Sequence, residues 1–115
     1  MNYLPAEVLW WLQGQFMWVN GRPSAGTTAT LLYNRDSSDL RHKKDISVHV
    51  GCNGWDGETK EIPMSKASKA VLDEVQPGRG DWYLCQVAIP ARATVIDFVV
   101  SDSIRQVCTF AGSSV

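Results

Sequence analysis

Four stretches of the chain alternate apolar and polar residues with a period of two. Ile46-Ser47-Val48-His49-Val50 is the clearest, with Ile46, Val48 and Val50 on one face. In Trp82 to Ile89, Tyr83, Cys85, Val87 and Ile89 share a face, and Pro90 ends the run. Ile96, Phe98 and Val100 stand together with Asp97 opposite. Ala29, Leu31 and Tyr33 alternate with Thr28, Thr30 and Leu32 in a strand ending at Asn34. Only extended backbone sends successive side chains to opposite sides. Turn formers separate the runs, notably Gly51 to Gly57 and Pro77-Gly78-Arg79-Gly80. Strands with one apolar face each imply two sheets covering one core. The expected class is all-β, an immunoglobulin-like antiparallel β-sandwich, its core built from Leu31, Ile46, Val48, Val50, Tyr83, Val87, Ile89, Ile96 and Phe98. A full sandwich needs about seven strands. One or two more must therefore lie in Arg35 to Asp45 or Glu58 to Gly80, and Gln106 to Phe110 supplies a last one. Within Glu58 to Gly80, Met64, Ala67, Val71, Leu72 and Val75 fit a short helix after a Ser65 cap, and the stretch reads equally as a long loop.

The first residues follow a different period. Leu4, Val8, Trp11, Leu12, Gln15 and Val19 fall at helical spacing, and Pro5 suits a first helical turn. A loop by composition follows, Asn20 to Gly26. The expected organisation is thus a Trp-rich, helical appendage over 1–25 and a sandwich module over 26–115. A chain of 115 residues has room for one such domain. Trp10, Trp11 and Trp18 on the appendage serve local packing or offer a protein partner an apolar surface.

Eleven Lys and Arg against twelve Asp and Glu give a net charge of -1. Phosphate-reading proteins carry a positive excess, so nucleic acid is not an expected partner; Arg41-His42-Lys43-Lys44 reads as a solvated loop. No run approaches the ~20 apolar residues of a membrane span, and no signal or transit pattern is visible, so either the mature protein is intracellular or this chain is a fragment whose targeting segment lies elsewhere, and no membrane partner is expected. Cys52, Cys85 and Cys108 are an odd count without a C-x-x-C pair, a poor metal set. They read as small buried thiols in a reducing compartment. No cofactor is expected.

The alternation also names the side chains that leave the core. Ser47 and His49 point outward, as do Trp82, Leu84 and Gln86. Trp55 belongs to no strand and stands on a polar turn beside Asn53. A rigid exposed indole suits a ligand with a flat apolar face. The axial C–H groups of a pyranose form such a face, and its rim of hydroxyls wants hydrogen-bonding neighbours. The candidate carbohydrate-binding residues are therefore Trp55, His49, Trp82 and Asn53.

Read in order, Tyr33-Asn34-Arg35, Ile46 to Gly51, Asn53-Gly54-Trp55, Asp81-Trp82-Tyr83, Val87-Ala88-Ile89-Pro90 and Ile96 to Asp102 resemble the starch-binding carbohydrate-binding modules of families 25 and 53. Such modules are repeated in plant and algal starch synthase III. The resemblance covers about Ala29 to Asp102. It implies an immunoglobulin-like sandwich that binds α-1,4-glucan and catalyses nothing itself. It also implies stacking of glucose rings on the turn tryptophan, Trp55, a contribution from the strand histidine, His49, and a plastid location. Many members carry a W-D-N-N-like segment after the F-V-x-S-D stretch. Here Ser103 to Phe110 does not match it, nor does the N-terminal segment have a counterpart.

Catalytic readings rest on less. A glycosidase needs two carboxylates about 5–10 Å apart across a cleft. Asp56, Glu58 and Glu61 supply carboxylates on a turn-rich stretch with no cleft scaffold. The expected function is non-catalytic binding of starch or maltooligosaccharides, targeting or regulating a starch-metabolic enzyme. The alternative is an immunoglobulin-like protein-interaction domain that has lost glucan binding.

Overall fold

A computed structural model of the protein describes residues 16–37, 45–102 and 108–115. Strands β1 (Phe16–Trp18), β2 (Thr28–Asn34), β3 (Ile46–Cys52) and β4 (Lys60–Pro63) come first. Then follow β5 (Ser65–Lys66), helix α1 (Lys69–Val75), β6 (Trp82–Ala88), β7 (Val95–Asp102) and β8 (Cys108–Ser114). The described strands form two four-stranded sheets, ordered β1-β2-β6-β5 and β4-β3-β7-β8. Every pairing is antiparallel. The class is the all-β sandwich that the period of two requires.

The facing follows the alternation. Leu31, Tyr33, Cys85 and Val87 of the first sheet meet Ile46, Val48, Val50, Ile96, Phe98 and Val100 of the second in one buried cluster. Tyr83 packs against it while remaining half-buried. The two missing strands are β4 and β5, where the chain crosses from one sheet to the other. Between them Met64 is buried in the core and donates its N–H to the Ile46 carbonyl. That crossing corrects the Ser65 cap. Ser65 and Lys66 pair with Leu84 and Tyr83 as extended backbone, and Ser68 caps α1 instead, accepting the Val71 N–H at 3.3 Å.

The second correction is at the N-terminal side. Residues 1–15 of the expected helical appendage lie outside the described residues. Phe16 to Trp18, however, form an edge strand paired with Leu31 to Tyr33. Phe16 packs edge-on to Phe98 at 4.9 Å between ring centroids and against Tyr33 at 5.0 Å. The Trp18 indole N–H donates to Ser113 Oγ at 3.0 Å, linking β1 of one sheet to β8 of the other. The sandwich therefore begins before residue 26. The apolar count at helical spacing missed this because three residues suffice for an edge strand when two rings reach the core.

Candidate functional site

The turn after β3 is built from an unusual backbone. Asn53, Gly54 and Trp55 have φ of 52°, 78° and 65° in succession. The Asp56 N–H closes the turn on the Cys52 carbonyl at 2.9 Å. Left-handed backbone costs a residue with a Cβ roughly 1–2 kcal/mol, and for a bulky ring it is an outlier. Two side chains hold it. Asp97, fully buried on β7, accepts the N–H of Gly54 at 2.8 Å and of Trp55 at 2.9 Å through one oxygen, Oδ2. The side-chain oxygen of Asn53 accepts from the Thr94 N–H, the Thr94 hydroxyl and the Val95 N–H, and its NH2 donates to the Arg92 carbonyl. Arg92 in turn donates to the Asp56 carbonyl at 2.6 Å.

This frame turns Trp55 back over the outer face of β3. The Cε3–Cζ3 edge of its ring lies over Gly51, where an added Cβ would come within 2.6 Å of Cε3. The remaining surface is open: at 39% exposure, Trp55 is the large exposed hydrophobic side chain among the described residues. His49 lies two residues back on the same face of β3, so its Cα is about 7 Å from that of Gly51. Its Nε2 is 3.8 Å from Oε2 of Glu61, which stands opposite it on β4. The other oxygen of Glu61 accepts the Ser47 hydroxyl at 3.0 Å. An indole, an imidazole, a carboxylate and a hydroxyl thus follow one another along one sheet surface. Such a row offers an apolar plane and hydrogen-bonding groups beside it.

Of the four expected residues, Trp55 and His49 are neighbours on this surface. Asn53 is adjacent, and its amide holds the Arg92–Val95 loop and so shapes the turn. Trp82 is elsewhere. It does leave the sandwich core, as its position in the alternation requires, but it does so from the other sheet. There α1 and Ala67 cover it, leaving it 3% exposed with Leu32. Its indole N–H donates to the Gly78 carbonyl at 3.0 Å. A ring enclosed in this way has no face to give a ligand. Gly51 and Asp97 were not singled out from the sequence, and Glu61 was named only as a carboxylate of the catalytic reading. The signals were present in two of them: a glycine where the alternation calls for an outward side chain, and a carboxylate between two core residues of β7.

Among the described residues no group of three or more His, Cys, Asp or Glu side chains is arranged to hold a metal. No helix among them is long and apolar enough to cross a membrane. Cys52 and Cys85 are free and buried. Burial pushes the Cys85 thiol up to about 12.

Comparison with known proteins bears on the same residues. The model of the starch/carbohydrate-binding module, family 53, matches residues 29–98, more than half of the chain. That span runs from β2 into β7 and contains His49, Gly51, Trp55, Glu61 and Asp97. The chain is similar to soluble starch synthase 3a, chloroplastic/amyloplastic, of Oryza sativa subsp. japonica, with 40% identity over 67% of its length. It shares 33% identity over 84% of its length with starch synthase 3, chloroplastic/amyloplastic, of Arabidopsis thaliana. With soluble starch synthase 3, chloroplastic/amyloplastic, of Solanum tuberosum it shares 38% over 63%. It spans only 4%, 8% and 5% of those relatives' lengths. No solved structure matches it significantly. A sandwich of this topology, matched by that model across most of its strands, belongs to the family 53 starch/carbohydrate-binding modules.

Proposed function

We propose that the protein binds α-1,4-linked glucan, as starch or maltooligosaccharide, and that it does so without catalysis. In this reading it serves a starch-metabolic enzyme in the plastid, bringing it to its substrate or regulating it. The single observation that carries the reading is Trp55. A large ring is held in a costly backbone conformation, by a buried carboxylate, and left exposed to water, and folding alone gives no reason for that arrangement. Family membership and the similarity to plastid starch synthases support the same ligand class.

In this reading the exposed ring takes the C–H side of a glucose, and His49, Glu61 and Ser47 supply hydrogen-bonding groups for the hydroxyls of that ring or its neighbour. A single shallow platform buries little ligand surface. Dissociation constants of ~10 µM to 1 mM follow, or about -7 to -4 kcal/mol. The test is retardation in a native gel containing amylopectin, together with calorimetric titration by maltoheptaose. Binding by the parent and its loss in Trp55→Ala, with the variant still folded by circular dichroism, is the expected result. No retardation and no heat from the parent would overturn it and leave the protein-interaction domain as the better reading.

A further inference from the structure

We infer that Gly51 and Asp97 are positioning residues that preset the Trp55 indole before any ligand arrives. This rests on the glucan-binding reading for its functional meaning, though the geometry stands by itself. Gly51 and Asp97 are directly paired across β3 and β7. Both belong to the outer face of their sheet, and each removes a different freedom from the ring.

Asp97 fixes the backbone. Its Oδ2 binds two consecutive N–H groups of the turn, and the carboxylate is fully buried. Hydrogen bonds to a charged acceptor are about twice as strong as neutral ones. They favour the left-handed conformation that Trp55 would otherwise leave. The other oxygen, Oδ1, meets no donor among the described residues. An asparagine can therefore keep the Oδ2 bonds without setting its NH2 against a donor.

Gly51 fixes the ring. Its φ is not among the positive ones, so any residue can adopt its strand backbone. The obstacle to a side chain is what lies above it: an added Cβ would stand 2.6 Å from Cε3 and 3.1 Å from Cζ3 of Trp55, and 3.3 Å from Cγ2 of Thr59. The Cε3–Cζ3 edge of the indole thus rests over bare backbone, and a side chain at position 51 would displace the ring. Ordering a large ring in advance removes an entropic cost from binding, which matters most when the interface is one ring.

The test uses the protein labelled with 5-fluorotryptophan, the Trp55 resonance being identified by its absence in Trp55→Phe. In Gly51→Ala the Trp55 resonance should move while that of Trp82 stays. The affinity for maltoheptaose should fall about tenfold or more, a common effect of disturbing a single aromatic anchor. Asp97→Ala should broaden or shift the same resonance, and Asp97→Asn should restore much of both readouts. Adding Gly51→Ala to Trp55→Ala should change the thermal midpoint little, since the obstructing ring is gone. If Gly51→Ala leaves the Trp55 resonance unmoved, or the parent affinity intact, the inference is wrong while the glucan reading survives. If the parent binds no glucan yet both substitutions move the Trp55 resonance, the positioning holds and the glucan reading fails.

Discussion

Among the described residues each sheet of the sandwich carries one tryptophan on its outer side, and the two have opposite surroundings. Trp82 on β6 is covered by α1, its N–H satisfied by the Gly78 carbonyl. Trp55 is laid over β3 at Gly51 with 39% of its surface exposed. Both leave the core between the sheets, so residue type and facing do not separate them. What separates them is the chain that passes above. Over β6, the crossing from β4 continues into β5 and α1, whose Val71, Leu72 and Val75 complete a second apolar cluster. Over β3, among the described residues, the turn returns with Thr59 beside it, and the turn brings the tryptophan with it. A covered ring contributes stability; an uncovered ring held in place is available to a ligand.

The widest gap between the two rings should appear on truncation. Trp82→Ala removes a fully enclosed side chain and should cost about 3–5 kcal/mol, read from denaturant midpoints. Trp55→Ala should cost less, about 1–2 kcal/mol, because much of the ring is already in water. For glucan binding the ranking reverses. Trp55→Ala should lose about 1–3 kcal/mol, and a folded Trp82→Ala should retain the parent affinity. Equal stability losses in the two variants would break the comparison.

The dry side can be tested on the same strand. Cys85 lies on β6, facing the core, and its thiol is raised from 9.0 to about 12 by burial. The folded state therefore holds this proton more tightly than the unfolded state. Stability is unaffected well below pH 9 and falls as pH rises from there toward 12, by at most about 1.4 kcal/mol per pH unit. Alkylation by iodoacetamide at pH 8 should be slow in the native protein and fast on unfolding. Rapid native labelling of Cys85 would mean that water reaches this part of the core.

Two smaller effects sharpen the contrast. Ser68→Ala removes the cap of the helix that covers Trp82 and should cost about 1 kcal/mol in a thermal or denaturant melt, with no change in glucan affinity. At the exposed site, Trp55→Gly should be more stable than Trp55→Ala by somewhat under 1 kcal/mol, since glycine adopts φ of 65° without strain. The same melts measure it. Equal stability would show that the turn relaxes once the ring is gone.

Much of the fold was legible in the chain because strand facing is a local property. The nine expected core residues all belong to the main cluster or pack against it. Lys60 to Lys66 was harder. Its two strands are too short to establish an alternation, and they change sheets at Met64, so no single face runs through them. Phe16 to Trp18 failed for a related reason: three residues carry no usable period, and their place in the sheet comes from rings reaching Tyr33 and Phe98. At the site, Trp55 and His49 were legible as outward residues. Asn53 was legible as polar and exposed by composition, but its commitment to Thr94 and Val95 depends on a loop about forty residues away in sequence.

The sequence by itself determined which side of each strand an amino acid occupies, since adjacent peptide units must point their side chains apart. It also determined that a tryptophan would stand on a turn rich in glycine. Only the tertiary structure decided which outward side chains stay outward in water. That depends on what crosses the sheet surface, and crossings join residues far apart in the chain. Helix α1 closes over Trp82, whereas Gly51 and Asp97, from strands paired across β3 and β7, open a seat for Trp55. No local pattern contains both halves of either contact.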